Sequence, residues 1–162
     1  MRLTLLLLVT ALSPLTLSPL TWADATEDAC RDLIMDYAWY RDHPDANAYA
    51  ALFTEDAELS ILGETFKGRD AIAQRLTASS GSTVHLMSTI RITKVDEDTA
   101  TGRSYVTVYT APPGAGPHTV SGYAAIGEYH DDFRKTYTGW FIAKRVLVLR
   151  LRDANFKPPP SN

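Results

Sequence analysis

The segment Val84-His85-Leu86-Met87-Ser88-Thr89-Ile90-Arg91-Ile92, residues 84–92, marks a change in the character of the chain. The run is typical of a β-strand. Residues before it show mainly helical spacing of apolar side chains, and residues after it form further strands separated by turn residues. The sequence therefore places its helices first and most of its sheet afterwards.

Three helices and a short hairpin are predicted upstream of this segment. The first helix ends at His43-Pro44-Asp45, because proline stops a helix. Asp45 is a suitable N-cap for a short second helix that carries Leu52 and Phe53 on its apolar face. A third helix follows Gly68. Strands are expected at 58–62 and 65–67, and the apolar stripe of the first helix consists of Cys30, Leu33, Ile34, Tyr37 and Ala38.

An antiparallel meander is predicted downstream, with strands at 84–93, 100–110, 118–133 and 140–151. The stretch 112–117 is rich in proline and glycine, so it is a loop. Helices followed by long strands indicate an α+β fold. We expect a cone-shaped, curved antiparallel or mixed sheet packed on three N-terminal helices and enclosing an apolar pocket.

The two ends of the chain are predicted to lie outside the folded domain. Residues 1–23 have one positive charge, an aliphatic run and small residues at Thr21 and Ala23, the two positions that a signal peptidase reads, as in a secretory signal peptide. We therefore expect an exported protein, periplasmic or secreted, with a domain at 24–153. A tail at 154–162 contains three consecutive prolines and is expected to be disordered.

Composition limits the classes of partner and cofactor. Without Arg2, the chain has 15 Lys and Arg against 19 Asp and Glu, a net charge of −4, and no basic block, so nucleic acid is not expected. Cys30 is the only cysteine, which excludes an internal disulfide. His130 and Asp132 lack a second pair of ligands, so no metal is predicted. The sequence has no phosphate-binding or dinucleotide motif, so no cofactor is predicted.

Several spaced residues together resemble the SnoaL-like domain of the nuclear transport factor 2-like superfamily. The pattern closest to this chain is that of the scytalone dehydratase branch. The resemblance implies a cone-shaped α+β barrel that serves several enzymes and also non-enzymatic binding domains. The matching residues are Tyr37-Ala38-x-x-x-Asp42, Leu52-Phe53-Thr54-x-Asp56-Ala57, Phe66-x-Gly68-x-x-Ala71-Ile72, His85 and Gly127-x-Tyr129-x-Asp131-x-Phe133 with Gly139-Trp140-x-Ile142.

The resemblance implies a catalytic group made of Tyr37, Asp42 and His85. His85 would be the acid/base, Asp42 would orient it, and Tyr37 would donate a hydrogen bond to a developing oxyanion. The branch has a second histidine, which here falls near Ser104 or Tyr105, and an asparagine that has no clear counterpart. The dehydratase site implied by the family is therefore incomplete in this sequence.

Each of these residues also has an ordinary structural interpretation. Strict alternation puts His85, Met87, Thr89 and Arg91 on the more polar face of their strand, which is ordinarily the solvent face. Tyr37 lies on the apolar stripe of its helix and is equally consistent with a core tyrosine. Asp42 at a helix C-terminus could simply be exposed. We expect Tyr105, Tyr123 and Met87 to contact the substrate.

Two functions from different classes remain open on the sequence. One is a cofactor-independent lyase or isomerase that acts on a small, largely apolar, cyclic molecule. The other is a non-catalytic binding or accessory domain of the same fold. We also expect a homodimer, because residues 84–92 and 146–149 offer more apolar surface than one curved sheet can cover. No membrane association is expected after cleavage.

Overall fold

A computed structural model of the chain describes residues 22–77, 81–114 and 116–156. Most of the predicted signal peptide and the end of the predicted tail lie outside these residues. The described chain contains three helices followed, after a short hairpin, by four long strands, so the predicted α+β fold is confirmed. The elements are α1 (Trp22–Asp42), α2 (Ala46–Ala51), β1 (Phe53–Ile61), β2 (Glu64–Lys67), α3 (Gly68–Thr77), β3 (Ser82–Lys94), β4 (Thr99–Ala111), β5 (Ala125–Thr136) and β6 (Gly139–Arg152).

The six strands form one mixed sheet in the order β2-β1-β6-β5-β4-β3. All neighbours are antiparallel except β1 and β6, which run parallel. The helices cover one side of this sheet, and α1 lies mainly against β3. None of the described helices is both long and apolar enough to cross a membrane.

The helices form where the sequence predicts them. Ile34 and Tyr37 on the α1 stripe are buried in the core. The Asp45 carboxylate accepts hydrogen bonds from the backbone N–H groups of Asn47 and Ala48 at 3.1 and 3.0 Å, so it caps α2 as expected. The short α2 is thus fixed by its cap and by the burial of Tyr49.

Two strand boundaries differ from the sequence prediction because of long-range pairing. Phe53 belongs to β1 rather than to the face of α2, since it pairs with Ile142 on β6. β5 begins at Ala125, seven residues later than predicted. Its pairing with β4 ends at the rung between Val108 and Ala125, and the preceding residues form a longer loop.

A bulge in β3 changes which side chains face the helices. Thr89 has a positive φ of 50°, and the register with β4 shifts between Ser88 and Arg91. His85 and Met87 therefore face inward before the bulge, and Ile90 and Ile92 face inward after it. The strict alternation expected from the sequence is wrong at this point, because a bulge adds one residue to one strand.

Candidate functional site

Asp42 ends α1 and is held by three donors from the start of β3. Its Oδ2 accepts the backbone N–H of His85 at 2.7 Å, and its Oδ1 accepts the hydroxyl of Thr83 at 3.0 Å. The third donor is the ring of His85. A carboxylate at a helix C-terminus opposes the helix dipole, and these hydrogen bonds supply the local stabilisation that such a position needs.

The His85 ring lies against the same carboxylate. Nδ1 is 2.6 Å from Asp42 Oδ1, and the two side chains are only 6% and 15% exposed. An ionised carboxylate accepts hydrogen bonds only, so the proton of the neutral ring is assigned to Nδ1. Nε2 then carries a lone pair, and no described residue is hydrogen-bonded to it. The pair can therefore accept a proton at Nε2 while Asp42 stabilises the resulting imidazolium.

The ionisation of Asp42 supports this assignment. Burial acts to raise the pKa of the Asp42 carboxyl, but the hydrogen bonds from His85 and Thr83 outweigh burial and hold the pKa below its ordinary value of 3.8. Asp42 is consequently a carboxylate at neutral pH. It is suited to orienting the ring and accepting its hydrogen bond.

Tyr37 lies deeper in the interior, within a group of packed aromatic rings. Its ring is 5.1 Å from that of Tyr49 and 5.4 Å from that of Tyr129, measured between centroids. The guanidinium carbon of Arg145 is 4.1 Å from the Tyr37 centroid and 4.5 Å from the Tyr129 centroid. Tyr37 is thus both a core residue and the neighbour of a buried cation.

Arg145 forms an ion pair that is wholly enclosed. Its Nε and Nη2 donate to the two carboxylate oxygens of Asp131 at 2.7 and 2.8 Å, and both side chains are 0% exposed. The two residues face each other across β5 and β6. A bidentate pair of this kind satisfies both carboxylate oxygens but leaves part of the guanidinium fork unused.

Four buried polar atoms have no hydrogen-bond partner within the described part of the chain. They are Nη1 of Arg145 and the hydroxyl groups of Tyr49, Thr54 and Ser104. Buried polar groups are normally paired with protein or with ordered water. Ordered water or a polar group of a bound molecule can supply the missing partner. Ser104 is at one of the two positions where the resemblance would have placed a second histidine.

The predicted substrate contacts do not all lie together. Met87 shares the inward face of β3 with His85 and packs against the core. Tyr105 lies on the outer face of the sheet and is 40% exposed, contrary to the sequence prediction, because the neighbouring Ser104 and Val106 take the inward positions. Tyr123 is half-buried in the loop before β5 and has no described contact with His85.

The two candidate metal ligands on β5 are not brought together. His130 Nε2 is 2.9 Å from Oε1 of Glu128 on the outer face of the sheet, and Asp132 takes no part in this contact. Within residues 22–77, 81–114 and 116–156, no group of three or more His, Cys, Asp or Glu side chains is placed to hold a metal ion.

Residues 24–146 match the SnoaL-like domain family. The chain belongs to the SnoaL-like family. No curated protein matches the sequence. The solved structures that resemble this SnoaL-like protein share its fold, which has been described as nuclear transport factor 2-like and cystatin-like.

Three solved structures illustrate the similarity. A proposed scytalone dehydratase from Novosphingobium aromaticivorans is 26% identical, with 86% of this chain and 93% of that chain covered and a TM-score of 0.72. A nuclear transport factor 2-like protein from the same organism is 27% identical, with 83% and 88% covered and a TM-score of 0.69. Hexachlorocyclohexane dehydrochlorinase LinA-type3 from Novosphingobium barchaimii is 19% identical, with 85% and 97% covered and a TM-score of 0.69, which shows the shared fold alone.

Sequence reasoning missed the buried ion pair. Asp131 appeared only as one position of a family pattern, and Arg145 appeared only as a residue of the last strand. A signal was present, because Asp131 and Arg145 each interrupt an apolar alternation on a strand. A charge at an inward position is rarely tolerated without a partner, but the sequence does not show which residue is that partner.

Proposed function

We propose that this SnoaL-like protein is a cofactor-independent lyase or isomerase that acts by acid/base chemistry on a small, largely apolar, cyclic molecule. The observation that carries this proposal is the His85–Asp42 pair, with its 2.6 Å contact, its burial and an Nε2 atom to which no described residue is hydrogen-bonded. A buried imidazole oriented by a carboxylate is the usual arrangement for moving one proton at neutral pH.

The proposed chemistry begins with proton transfer from carbon. Nε2 of His85 takes the proton, and Asp42 stabilises the imidazolium through Nδ1–H. In a lyase reaction the C–H electron pair forms the new double bond, and a leaving hydroxyl departs with its bonding electrons and takes the proton from the imidazolium as water. In an isomerase reaction the same proton returns to a different carbon.

The interior residues support the accumulation of negative charge during such a step. Tyr37 is the proposed hydrogen-bond donor to a developing oxyanion. Arg145 lies 4.1 Å from its ring and has a buried Nη1 without a described partner. Asp131 neutralises the charge of Arg145, so an enolate or a leaving oxygen would be stabilised by the Tyr37 hydroxyl and by the N–H groups of Nη1 that have no described partner.

The similarity to a proposed scytalone dehydratase also supports this class of reaction. A dehydratase is a lyase, and it needs an acid/base group but no cofactor when the proton removed is sufficiently acidic. This chain lacks the second histidine of the scytalone dehydratase branch, which argues against its acting on the same substrate as that protein. The reaction type is therefore proposed, and the substrate is not.

Hydrogen exchange tests the proposal before a substrate is known. Small cyclic ketones with an acidic C–H are incubated with the protein in heavy water, and deuterium incorporation is followed by mass spectrometry. His85→Asn is expected to slow exchange of a turned-over compound by about 100- to 10,000-fold, the usual contribution of a positioned base. His43→Asn is the matched control, because His43 is exposed and stacks on Trp39.

Two outcomes would contradict the enzymatic proposal. Equal exchange rates in the wild type and in His85→Asn would show that His85 is not the base. Compounds that bind at Met87 without any exchange would favour the non-catalytic binding domain instead.

We also propose that the chain is exported after removal of residues 1–23. The sequence pattern of this segment supports the proposal. Mass spectrometry of protein recovered from outside the cytoplasm of its native cell should show a chain that starts at Asp24 or within a residue or two. An intact Met1 in that fraction would contradict the proposal.

A further inference from the structure

One rung of the sheet joins His85 to an arginine on the far side of the same inner face. Across the four long strands, His85 pairs with Val108, Val108 with Ala125, and Ala125 with Arg152. Paired residues in an antiparallel sheet point to the same side. The inward orientation of His85 therefore extends to Arg152, and only Val108 and Ala125 lie between them.

The next rung of the sheet consists of apolar and small residues. Met87, Val106, Gly127 and Leu149 follow one another across the same four strands. Gly127 has no side chain, and the space above it is taken by Leu147, whose Cδ1 would lie 2.4 Å from an added Cβ. This end of the inner face thus has a floor of small and aliphatic side chains.

A cleft of about 290 Å³ lies at the Arg152 side of this floor. Leu147 and Leu149 form its base, the turn at Leu62 and Gly63 forms one wall, and Phe156 forms another. Arg152 is the only charged residue among those that line it in the described chain. An apolar cleft with one charged group is the common composition of a small-molecule site.

Arg152 has no hydrogen bond or ion pair with any residue in the described parts of the chain. The nearest acidic residue in sequence, Asp153, is engaged elsewhere: its Oδ1 accepts the backbone N–H of Asn155 at 2.8 Å. On the opposite face, the neighbouring Arg150 donates to Glu128. Of these two arginines, only Arg152 is left to bind a molecule in the cleft.

From this placement we infer that the cleft is a binding subsite for the anionic end of the substrate, and that Arg152 selects apolar molecules bearing a carboxylate. This inference rests on the proposed function for the identity of the reacting end, which lies at His85. The floor of Val108 and Ala125 receives the apolar body of the molecule.

The spacing of the strands sets the size of the molecule. Three strand spacings of about 4.8 Å separate the Cα atoms of His85 and Arg152, about 14 Å along the sheet. Both side chains extend inward from these positions. The carboxylate and the reacting carbon must then lie closer together than this, which suits a molecule of one or two rings.

Binding of two probes of equal shape tests the inference. The probes are 1-naphthoate, which carries a carboxylate, and 1-naphthamide, which is neutral, and their dissociation constants are measured by calorimetry at low salt. Wild type is expected to bind the carboxylate about tenfold or more tightly than the amide, the size expected of a hydrogen bond between charged groups. Arg152→Gln should remove this preference and leave binding of the amide unchanged.

Arg150→Gln is the matched control, because it makes the same change of charge on the outer face. The inference is overturned if the Arg152→Gln variant still prefers the carboxylate to the amide. It is also overturned if Arg150→Gln loses this preference to the same extent as Arg152→Gln. Absence of binding of both probes at millimolar concentration overturns it too.

His85→Asn separates this inference from the proposed function. If the carboxylate preference persists in His85→Asn while hydrogen exchange is unaffected by the same substitution, the subsite is correct and the proposed chemistry is wrong. If exchange depends on His85 and no carboxylate preference exists, the chemistry is correct and the subsite is wrong.

Discussion

At the scale of single residues, the most constrained group is the Asp42 carboxylate. It receives a backbone N–H, a hydroxyl and an imidazole N–H from one short segment of β3. The contact both tethers the end of α1 to the sheet and fixes the tautomer of His85. One side chain therefore contributes to stability and to the proposed chemistry, and the two contributions can be measured separately.

Asp42→Asn should destabilise the fold at neutral pH by about 1.5–3 kcal/mol, because hydrogen bonds to a charged acceptor are replaced by weaker ones. The pKa of Asp42 is lower in the folded state than its ordinary value of 3.8. Its stabilising contribution is therefore complete above that value and is lost as the pH falls through the folded pKa. Urea unfolding of both proteins, from about pH 7 downward, should show curves that converge in acid.

Asp36→Asn provides the control for this measurement, since Asp36 is exposed on the same helix. It should change the unfolding free energy little at any pH. A difference between wild type and Asp42→Asn that stays constant down to about pH 3 would mean that ionisation of Asp42 contributes nothing to stability.

The sequence could point to some of these residues but not to their contacts. His85 and Asp42 were found through the order and spacing of a family pattern, which fixes position along the chain. Arg145 and Asp131 meet because β5 and β6 pair in one particular register. Register depends on the bulges at residues 126–127 and 132–133, and no local pattern in the sequence specifies them.

At the scale of elements, the sequence predicts strands correctly where apolar and polar residues alternate without interruption. The prediction is wrong where pairing with an adjacent strand sets the boundary or the facing of the strand. The bulge at Thr89 reverses the faces of β3, and the parallel pairing with β6 extends β1 back to Phe53. Glycine marks a third such place. Gly102 on β4 faces inward beside the buried ring of Phe133, where a side chain would have no room.

Gly102→Ala should destabilise the protein by about 1–3 kcal/mol, the usual cost of overpacking a core. The added Cβ would lie 2.8 Å from Cε2 of Phe133 and 3.3 Å from Cδ1 of Ile92, and both neighbours belong to the core. Thermal unfolding should give a lower midpoint for this variant than for the wild type.

Gly122→Ala is suited to test whether the loss comes from crowding. Gly122 lies in the loop before β5, and nothing would lie within 4 Å of an added Cβ there. Its unfolding midpoint should stay at or slightly above that of the wild type. Equal midpoints for Gly102→Ala and the wild type would show that the β4 interior can relax around a methyl group.

At the scale of the whole molecule, the outer face of the sheet presents large apolar side chains to solvent. Val84 is 50% exposed, Leu86 52% and Leu151 55%. The sequence prediction placed Ile90 and Ile92 on this surface as well, but the β3 bulge turns them inward. The remaining outer patch, defined as Val84, Leu86, Tyr105 and Leu151, is a group of exposed large apolar side chains, and such groups often mark interaction surfaces.

We propose that two copies of the chain associate through this outer patch. Light scattering at micromolar concentration should give the mass of a dimer. Leu86→Lys should give the mass of a monomer, because a charge would be buried at the interface without a partner. Val95→Lys is the control, since Val95 is 62% exposed in the turn after β3 and lies outside the patch. A monomeric wild type, or equal dissociation by Val95→Lys, would contradict the proposal.

The parallel contact between β1 and β6 also governs the order in which the molecule can be assembled. The strands β3 to β6 each pair with the next strand in the sequence, whereas Phe53 pairs with Ile142, which is synthesised much later. Contacts between distant parts of a chain form slowly, because the chain loses the entropy of loop closure before the contacts can stabilise it. During synthesis the edge of β1 that pairs with β6 therefore stays open until the final strand leaves the ribosome, although α1 can pack against β3 earlier. The complete six-stranded sheet is therefore expected to form only once the whole chain has been made.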